Sequence, residues 1–576
     1  MSVQEELYPV QLLIDELKNE DTQVRLNSVR RLSTIATALG VERTRNDLLR
    51  FLNDSLDDED EVLLVLTEEL GNFVPLVGGP EYAYTLLPPL VSLASVEELL
   101  VREKCVQSLK TVLEAMPASQ YAEHVVPIFD QLSTGAWFTS RTSIAALYAT
   151  AYPKLDDKGQ KLLRELFAKL ATDSTPMVRR AAATALGNFA IVQSKSHSKN
   201  EMLPLFEKLA ADDQDSVRVL AVDNCIALAP QLGASTVLPV IKACLEDKSW
   251  RVRYAAADRF CRLCEVSGTE TTKTQLLKGF VALLGDDEAE VRTAAATKVD
   301  GVCKLLPVDL AVLHILPCVK TLVGDTSQHV RAALASAIMQ IAPSFGKEAT
   351  TTHLLPLYLQ LLTDSFPDVR LNVISKIDVV NEVIGIQLLS KSLLPAIVTL
   401  AEDSAWRVRL AIINYVPLLA KQLGVDFFNQ ELSNLCMTWL GDSVWSIRQA
   451  AANNLKELAK VFGAKWTSQN IIPKVMMLYT HPNYLYRMTT LSAVAGLAET
   501  VDAELVSSSL APLVVLMVED PVPNVRFNAA KTLRTMLPLV DTKTANEQIK
   551  PALAALESDS DNDVKFYASK AISFFA

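Results

Sequence analysis

Asp247-Lys248-Ser249-Trp250-Arg251-Val252-Arg253 decides the fold, because its outline, an Asp followed six residues later by the Arg of a Val-Arg pair, returns along the chain. With Arg253 as origin, the same slot holds Arg25, Arg102, Arg141, Arg179, Arg218, Arg292, Arg331, Arg370, Arg409, Arg448, Arg487, Arg526 and Lys565. From Arg253 to Lys565 the step is 39 residues eight times running. A degenerate copy at Val62-Leu63 fills the gap between Arg25 and Arg102, making fifteen repeats. Six residues before the basic slot, ten repeats carry Asp, from Asp173 to Asp559; fourteen before it, ten carry Pro, from Pro88 to Pro551. A period near 40 residues with helical patterning is the mark of a two-helix solenoid. The expected fold is therefore all-α, an α-solenoid of fifteen repeats read as a single elongated domain, 1–576, since each repeat only has to bury its face against its neighbours.

Repeat eleven shows the local logic. Leu389, Leu393, Leu394, Ile397 and Leu400 recur at three- and four-residue spacing and predict an amphipathic first helix. Pro395 inside it predicts a bend, and the Pro column extends that expectation to ten repeats. Asp403 and Ser404 predict a turn; a second helix follows from about Arg407, with Val408, Ile412, Tyr415, Val416 and Leu419 as its stripe and Gly424 at its end. Other second helices open with small residues, such as Ala181-Ala182-Ala183 and Ala294-Ala295-Ala296, which let neighbours pack closely. The Asp and Arg columns have a structural reading: they satisfy the backbone of their own turn and reach the equivalent residues one repeat along. The edges depart from the pattern, with Asn19 in the first Asp slot, Leu63 in the second basic slot beside the acidic run 57–61, and Val96 and Gly135 where Asp is due in repeats three and four.

Composition sets the limits on function. A net charge of -12 disfavours nucleic acid as partner. Eight scattered cysteines suit a reducing compartment rather than a disulfide framework, and the close pair Cys261 and Cys264 lacks a second pair or nearby His. No apolar run approaches the length of a membrane span, and the acidic start, residues 1–6, lacks a signal-peptide layout. We expect a soluble intracellular protein, cytoplasmic and also nuclear, without membrane insertion. There is no Gly-x-Ser-x-Gly and no Gly-rich phosphate loop, and the six histidines never come at two-ligand spacing. No catalytic residue, metal site or cofactor is expected, and the chain is read as not an enzyme.

In stacked helical hairpins the intra-repeat turns line one edge as a ridge with a pitch of about 10 Å. The slot three before the basic residue holds Phe138, Trp250, Trp406, Trp445 and Tyr484, with Trp137 beside Phe138, so four of the six tryptophans sit in turns. Trp406, Trp445 and Tyr484 fall in consecutive repeats, next to Arg407. Such a row is either an anchor cluster for a partner protein or a set of rings shielding the next turn.

The Pro, Asp and Arg columns resemble the HEAT repeat. Beyond that pattern, LIDELKNEDTQVR ending at Arg25, GVERTR at 40–45, LVGGPEY at 76–82, WFTSRTS at 137–143, TPMVRRAAA at 175–183, EDKSWRVRY at 246–254, WRVRLAII at 406–413, PNYLYRMTTL at 482–491 and DPVPNVRFN at 520–528 resemble the scaffold (65-kDa regulatory) subunits of the type-2A serine/threonine protein phosphatases. The resemblance implies a horseshoe-like superhelix whose ridge of turns holds two proteins. It places the phosphatase catalytic subunit on repeats eleven to fifteen, 388–576, and an interchangeable regulatory (B-type) subunit on repeats one to eight, 1–309, giving a heterodimer and then a heterotrimer. Carried onto matching positions, Trp406, Arg407, Trp445, Tyr484, Arg487 and Asn524 would face the catalytic subunit, and Glu61, Trp137, Phe138, Pro176, Met177, Arg180, Trp250 and Arg251 the regulatory subunit. The stretch 191–199 matches the family poorly and carries no site. The rival reading is a transport-receptor-like HEAT-repeat adaptor, against which stand the near-constant step and the absence of a long acidic loop.

Overall fold

The computed structural model describes residues 15–54 and 56–575; the acidic start, the first residues of LIDELKNEDTQVR and Ala576 lie outside them. Among the described residues every regular element is helical. The chain divides into two compact halves, 1–298 and 299–576. Within each half the expected hairpins stack in chain order as a HEAT solenoid, second helix against second helix.

Repeat eleven follows its pattern closely. The first helix is Ile386–Leu400, burying Leu389, Leu393, Ile397 and Leu400. The second, Trp406–Leu423, starts one residue before its expected position and buries Val408, Ile412, Val416 and Leu419. Gly424 ends it with φ +87°. A Cβ there would meet open space, so the constraint is the left-handed backbone itself, which costs an L-residue about 1–2 kcal/mol. Glycine recurs fifteen residues after the basic slot at 40, 233, 268, 346, 385 and 463, each with positive φ. Elsewhere in this column Asp156, Ser194, Asp502 and Asp541 take over by capping the next helix with their side chains.

Two local features differ from expectation. The bend in the first helix is a π-helical turn, as at Tyr121–Val125, Ser198–Met202 and Ala311–Ile315, and the column proline stands just after it, at the start of the following α segment. Thr272–Leu276 and Phe428–Leu432 make the same π turn with no proline, so the turn belongs to the repeat and the proline suits it. In repeat eleven Pro395 instead lies inside one α-helix. Several second helices are also broken midway: Pro367–Ile374 gives way to Ile377–Ile384, and Trp250–Asp258 to Phe260–Ser267. At the first break Ser375 Oγ donates back to the Asn372 carbonyl, competing with the helix ladder. The small residues perform as expected, with Ala182, Ala183, Ala256, Ala257, Ala294, Ala295 and Ala296 all buried.

The Asp and Arg columns form a ladder. Asp403 Oδ1 accepts from the Ala405 N–H at 2.8 Å, closing its own turn. Arg409 Nη1 donates back to the Asp403 carbonyl, while its Nε and Nη2 clasp Asp442 one repeat on at 2.9 and 3.0 Å. The same clasp joins Arg179 to Asp212, Arg218 to Asp247 and Arg253 to Asp286 in the first half, and Arg331 to Asp364, Arg370 to Asp403, Arg487 to Asp520 and Arg526 to Asp559 in the second. Repeat two is a correction: Asp58, inside the acidic run, completes the rung from Arg25 at 2.7 Å although its turn is a residue shorter. Asn19 does the work of the first Asp, accepting from the Asp21 N–H.

The ladder yields two predictions. Asp403→Ala leaves the buried Arg370 guanidinium without its carboxylate and is expected to cost about 3–5 kcal/mol, read from the urea midpoint. Burial pushes the Asp364 carboxyl up, but donation from Arg331 and from the Phe366 N–H outweighs it and holds the group below the usual range. For Asp559 the clasp by Arg526 dominates and holds it at about 2. Carboxyls depressed in the folded state stabilise it fully above their unfolded pKa and lose that contribution as pH falls through the folded value. The melting temperature should therefore decline steadily from about pH 5 towards pH 2, and a flat profile would contradict the ladder's role.

Candidate protein-docking ridge

Each rung spends an Arg and an Asp on holding a turn, which leaves the residue three before the Arg facing outward. In the second half this slot presents Trp406, Trp445 and Tyr484 at the first position of three long helices, Trp406–Leu423, Trp445–Phe462 and Tyr484–Ala498. Trp445 is 65% exposed and Tyr484 also exposed. Trp406 is half-buried, with the exposed Arg407 guanidinium 4.7 Å from its ring. Cation and ring are thus presented together as one flat, partly desolvated surface. Asn524 is exposed in the next turn.

Arg487 differs from its companions. It is buried, and its Nε and Nη2 hold Asp520 while its Nη1 donates to the His481 and Pro482 carbonyls. It fixes the turn that carries Tyr484. The Asp slot of that turn holds His481, whose Nδ1 accepts from the Asn483 N–H as an Asp oxygen does elsewhere, and whose ring stacks on Tyr486 at 3.9 Å. Tyr486 in turn lies so close over Gly441 that a Cβ there would overlap its ring. The two tryptophans outside the turns are core residues: Trp466 is buried, and Trp439 donates from Nε1 to the Ala401 carbonyl at 3.0 Å.

In the first half, Trp137 is 74% exposed and immediately precedes the helix Phe138–Ile144, with Phe138 half-buried beside it. One turn further on, Pro176, Met177 and Arg180 are exposed at the start of the helix Pro176–Ile191. Leu99 and Leu100, in the turn before Trp137, are also exposed, so three consecutive turns offer large apolar side chains. No aromatic marks these leucines in the sequence; their signal is a pair of large aliphatic residues beginning at a slot that elsewhere holds an aromatic, a polar residue, Pro or Ala. Trp250 is half-buried, edge-on to Tyr254 and 5.0 Å from the Arg251 guanidinium, which also approaches Asp215 at 3.6 Å. Glu61 is exposed in the first turn of Asp60–Gly71. The shielding alternative therefore fits Trp250 and Trp406 in part and does not fit Trp137 or Trp445.

No group of His, Cys, Asp or Glu among the described residues could hold a metal ion, and no helix there is long and apolar enough to cross a membrane. Burial pushes the Cys264 thiol up to about 12, which suits a packed thiol rather than a reactive one.

Comparison with known proteins bears on what this ridge serves. A family model described as PPP2R1A-like HEAT repeat matches residues 269–346, one for the HEAT repeat matches 510–540, and one described as PIK3R4-like, middle domain, matches 80–284 and 347–514. A protein phosphatase PP2A regulatory subunit of Schizosaccharomyces pombe is 48% identical over 276 residues, 47% of each chain. The PP2A 65 kDa regulatory subunit of Drosophila melanogaster is 56% identical over 191 residues, 33% of this chain and 32% of that one. The protein phosphatase 2A scaffold subunit of Dictyostelium discoideum is 56% identical over 285 residues, 49% of each chain. The matched stretches thus span half the length of these curated relatives or less. Among solved structures, Kap121p bound to Nup53p aligns with a TM-score of 0.61 at 15% identity, covering 96% of this chain and 58% of that one. Kap95p, from a complex with RanGDP, aligns at 0.52 and 13%, covering 99% and 88%. At such identities these two share the solenoid fold alone. The PIK3R4-like model covers more residues than the PPP2R1A-like one, but the identity of 48 to 56% favours the latter: the chain is a HEAT-repeat protein similar, over half its length or less, to the PP2A scaffold, or 65-kDa regulatory, subunits.

Proposed function

We propose that the chain is a non-catalytic scaffold for a type-2A serine/threonine protein phosphatase. The turns within 388–576 hold the catalytic subunit, and those within 1–309 hold a variable regulatory subunit. The observation that carries this reading is the succession Trp406, Trp445 and Tyr484 in three adjacent turns of one half, with Trp445 left 65% exposed where core packing offers it nothing. Aromatic side chains on a rigid, evenly spaced frame are the residue types that dominate interface energies, each worth about 2–4 kcal/mol when centrally placed. Arg407 and Asn524 extend that surface, and Arg487 acts from beneath by holding Tyr484's turn. Glu61, Trp137, Phe138, Pro176, Met177, Arg180, Trp250 and Arg251 all lie in the other half and are assigned to the regulatory subunit; Leu99 and Leu100 join them.

Tethering both proteins to one body turns the regulatory subunit's encounter with the catalytic subunit into an intramolecular event, which raises its effective concentration without new chemistry. The names of the relatives, regulatory and scaffold subunits of PP2A, support this reading. We place the protein in the cytoplasm and nucleus. The adaptor alternative has only the fold of the Kap proteins behind it.

Affinity capture from cell extract tests the assignment. The wild-type chain should bring down phosphoserine phosphatase activity, and Trp406→Ala/Tyr484→Ala should lose at least tenfold of it, as about 2 kcal/mol or more at each anchor requires. Equal capture by the double variant would remove these residues as anchors, and no capture by wild type would overturn the scaffold reading.

A further inference from the structure

In at least ten rungs among the described residues an Arg meets a carboxylate one repeat on, but two buried arginines of the same column, Arg102 and Arg448, have none there. Arg102 meets Gly135 in the slot where its carboxylate is due, and Arg448 meets His481. Each still donates from Nη1 to the carbonyls of its own turn: Arg102 to Val96 and Glu97, Arg448 to Asp442 and Ser443 at 2.8 and 3.0 Å. Nε and Nη2, the two donors that clasp a carboxylate in the other rungs, have no such partner among the described residues. Neither arginine is a surface residue; Arg448 is only 9% exposed. Both guanidinium groups thus lack the counter-charge that their column supplies elsewhere, and such local conflicts gather at functional sites.

The two incomplete rungs coincide with the two most exposed tryptophans. Arg102 lies between the turns of Leu99-Leu100 and Trp137, and Arg448 between those of Trp445 and Tyr484. At Arg448 the surroundings are more fully defined. It lines a cavity of about 340 Å³ together with Trp445, Leu485, Met488, Asn528 and Lys531, and none of the lining residues is acidic. In a chain of net charge -12, a cavity lined by Arg448 and by Lys531, whose ammonium lies 4.1 Å from the Tyr567 ring, and by no carboxylate favours a negative group. His481 supplies none, since an imidazole carries no negative charge and its ring is stacked on Tyr486.

We propose that Arg448 is a receptor for an aspartate or glutamate side chain of the partner protein docked on Trp406, Trp445 and Tyr484, so that the partner completes a rung the chain leaves open. This rests on the assignment of that surface to the phosphatase catalytic subunit. The carboxylate enters beside Trp445 and takes the bidentate place that Asp442 takes on Arg409. Apolar anchors then give affinity, while the fork gives register, because a carboxylate is accepted in one position and orientation only.

The test is to close the rung from within. His481→Asp installs the residue found in ten other repeats and keeps the bond to the Asn483 N–H, so it should fold and melt at a higher temperature than wild type. Calorimetric titration of the full-length chain with purified type-2A catalytic subunit should nevertheless show His481→Asp binding about tenfold or more weakly, because the new Asp occupies the fork. Arg448→Lys, which keeps the charge and loses the fork, should weaken binding in the same direction without the gain in melting temperature. Unchanged or tighter binding by His481→Asp would overturn the inference while leaving the docking surface in place. Failure of the wild-type chain to bind the catalytic subunit would overturn the assignment of the surface, and the inference with it.

Discussion

The structure depends on one interaction, the two-pronged clasp of an arginine on the aspartate of the next repeat. A planar guanidinium presents parallel donors that match a carboxylate, so the pair fixes orientation as well as distance. Its third nitrogen donates to backbone carbonyls of its own turn, and the aspartate accepts from an N–H two residues on, as at Arg409, Asp403 and Asp442. One pair of side chains therefore satisfies the backbone of a turn and sets its spacing from the next. The turns become a rigid rail along each half, and whatever stands three residues before the arginine is held outward.

That economy explains what was legible in the sequence. Side chains that recur because geometry demands them leave columns, and the Asp, Arg and Pro columns announced the repeat, its two helices and its ridge. Features that left no column obey backbone rules rather than side-chain identity. The turn between repeats closes either with a positive-φ glycine, as at Gly424, or with a capping Asp or Ser, as at Asp502, so no single residue type fills that position. The π turn of the first helix forms with or without proline, and the second helix breaks at nearly the same register after Pro367–Ile374 and after Trp250–Asp258 but runs unbroken in Trp406–Leu423, so the break is no fixed part of the repeat. Asp58 was hidden because its turn is a residue short, which put it out of register within an acidic run.

The ridge was legible for a related reason. A tryptophan in a turn conflicts with the usual place of tryptophan, and the two that stand outside turns, Trp439 and Trp466, are indeed buried. What sequence could not distinguish is an arginine that presents itself from one that holds its turn: Arg407 and Arg487 look alike in one dimension, yet one is exposed beside Trp406 and the other is buried against Asp520. Nor does one sequence show that a missing aspartate, at Gly135 or His481, leaves an arginine buried with two of its donors open to a newcomer.

The central claim is that partners dock on the rail of turns and that the two halves serve different partners. Oxidative footprinting of tryptophan and tyrosine side chains, with and without type-2A catalytic subunit, tests it most directly. Trp445 and Tyr484 should become protected while Trp137, still more exposed in the free chain, keeps its reactivity. Protection of Trp137 instead, or of neither half's turns, would contradict the account.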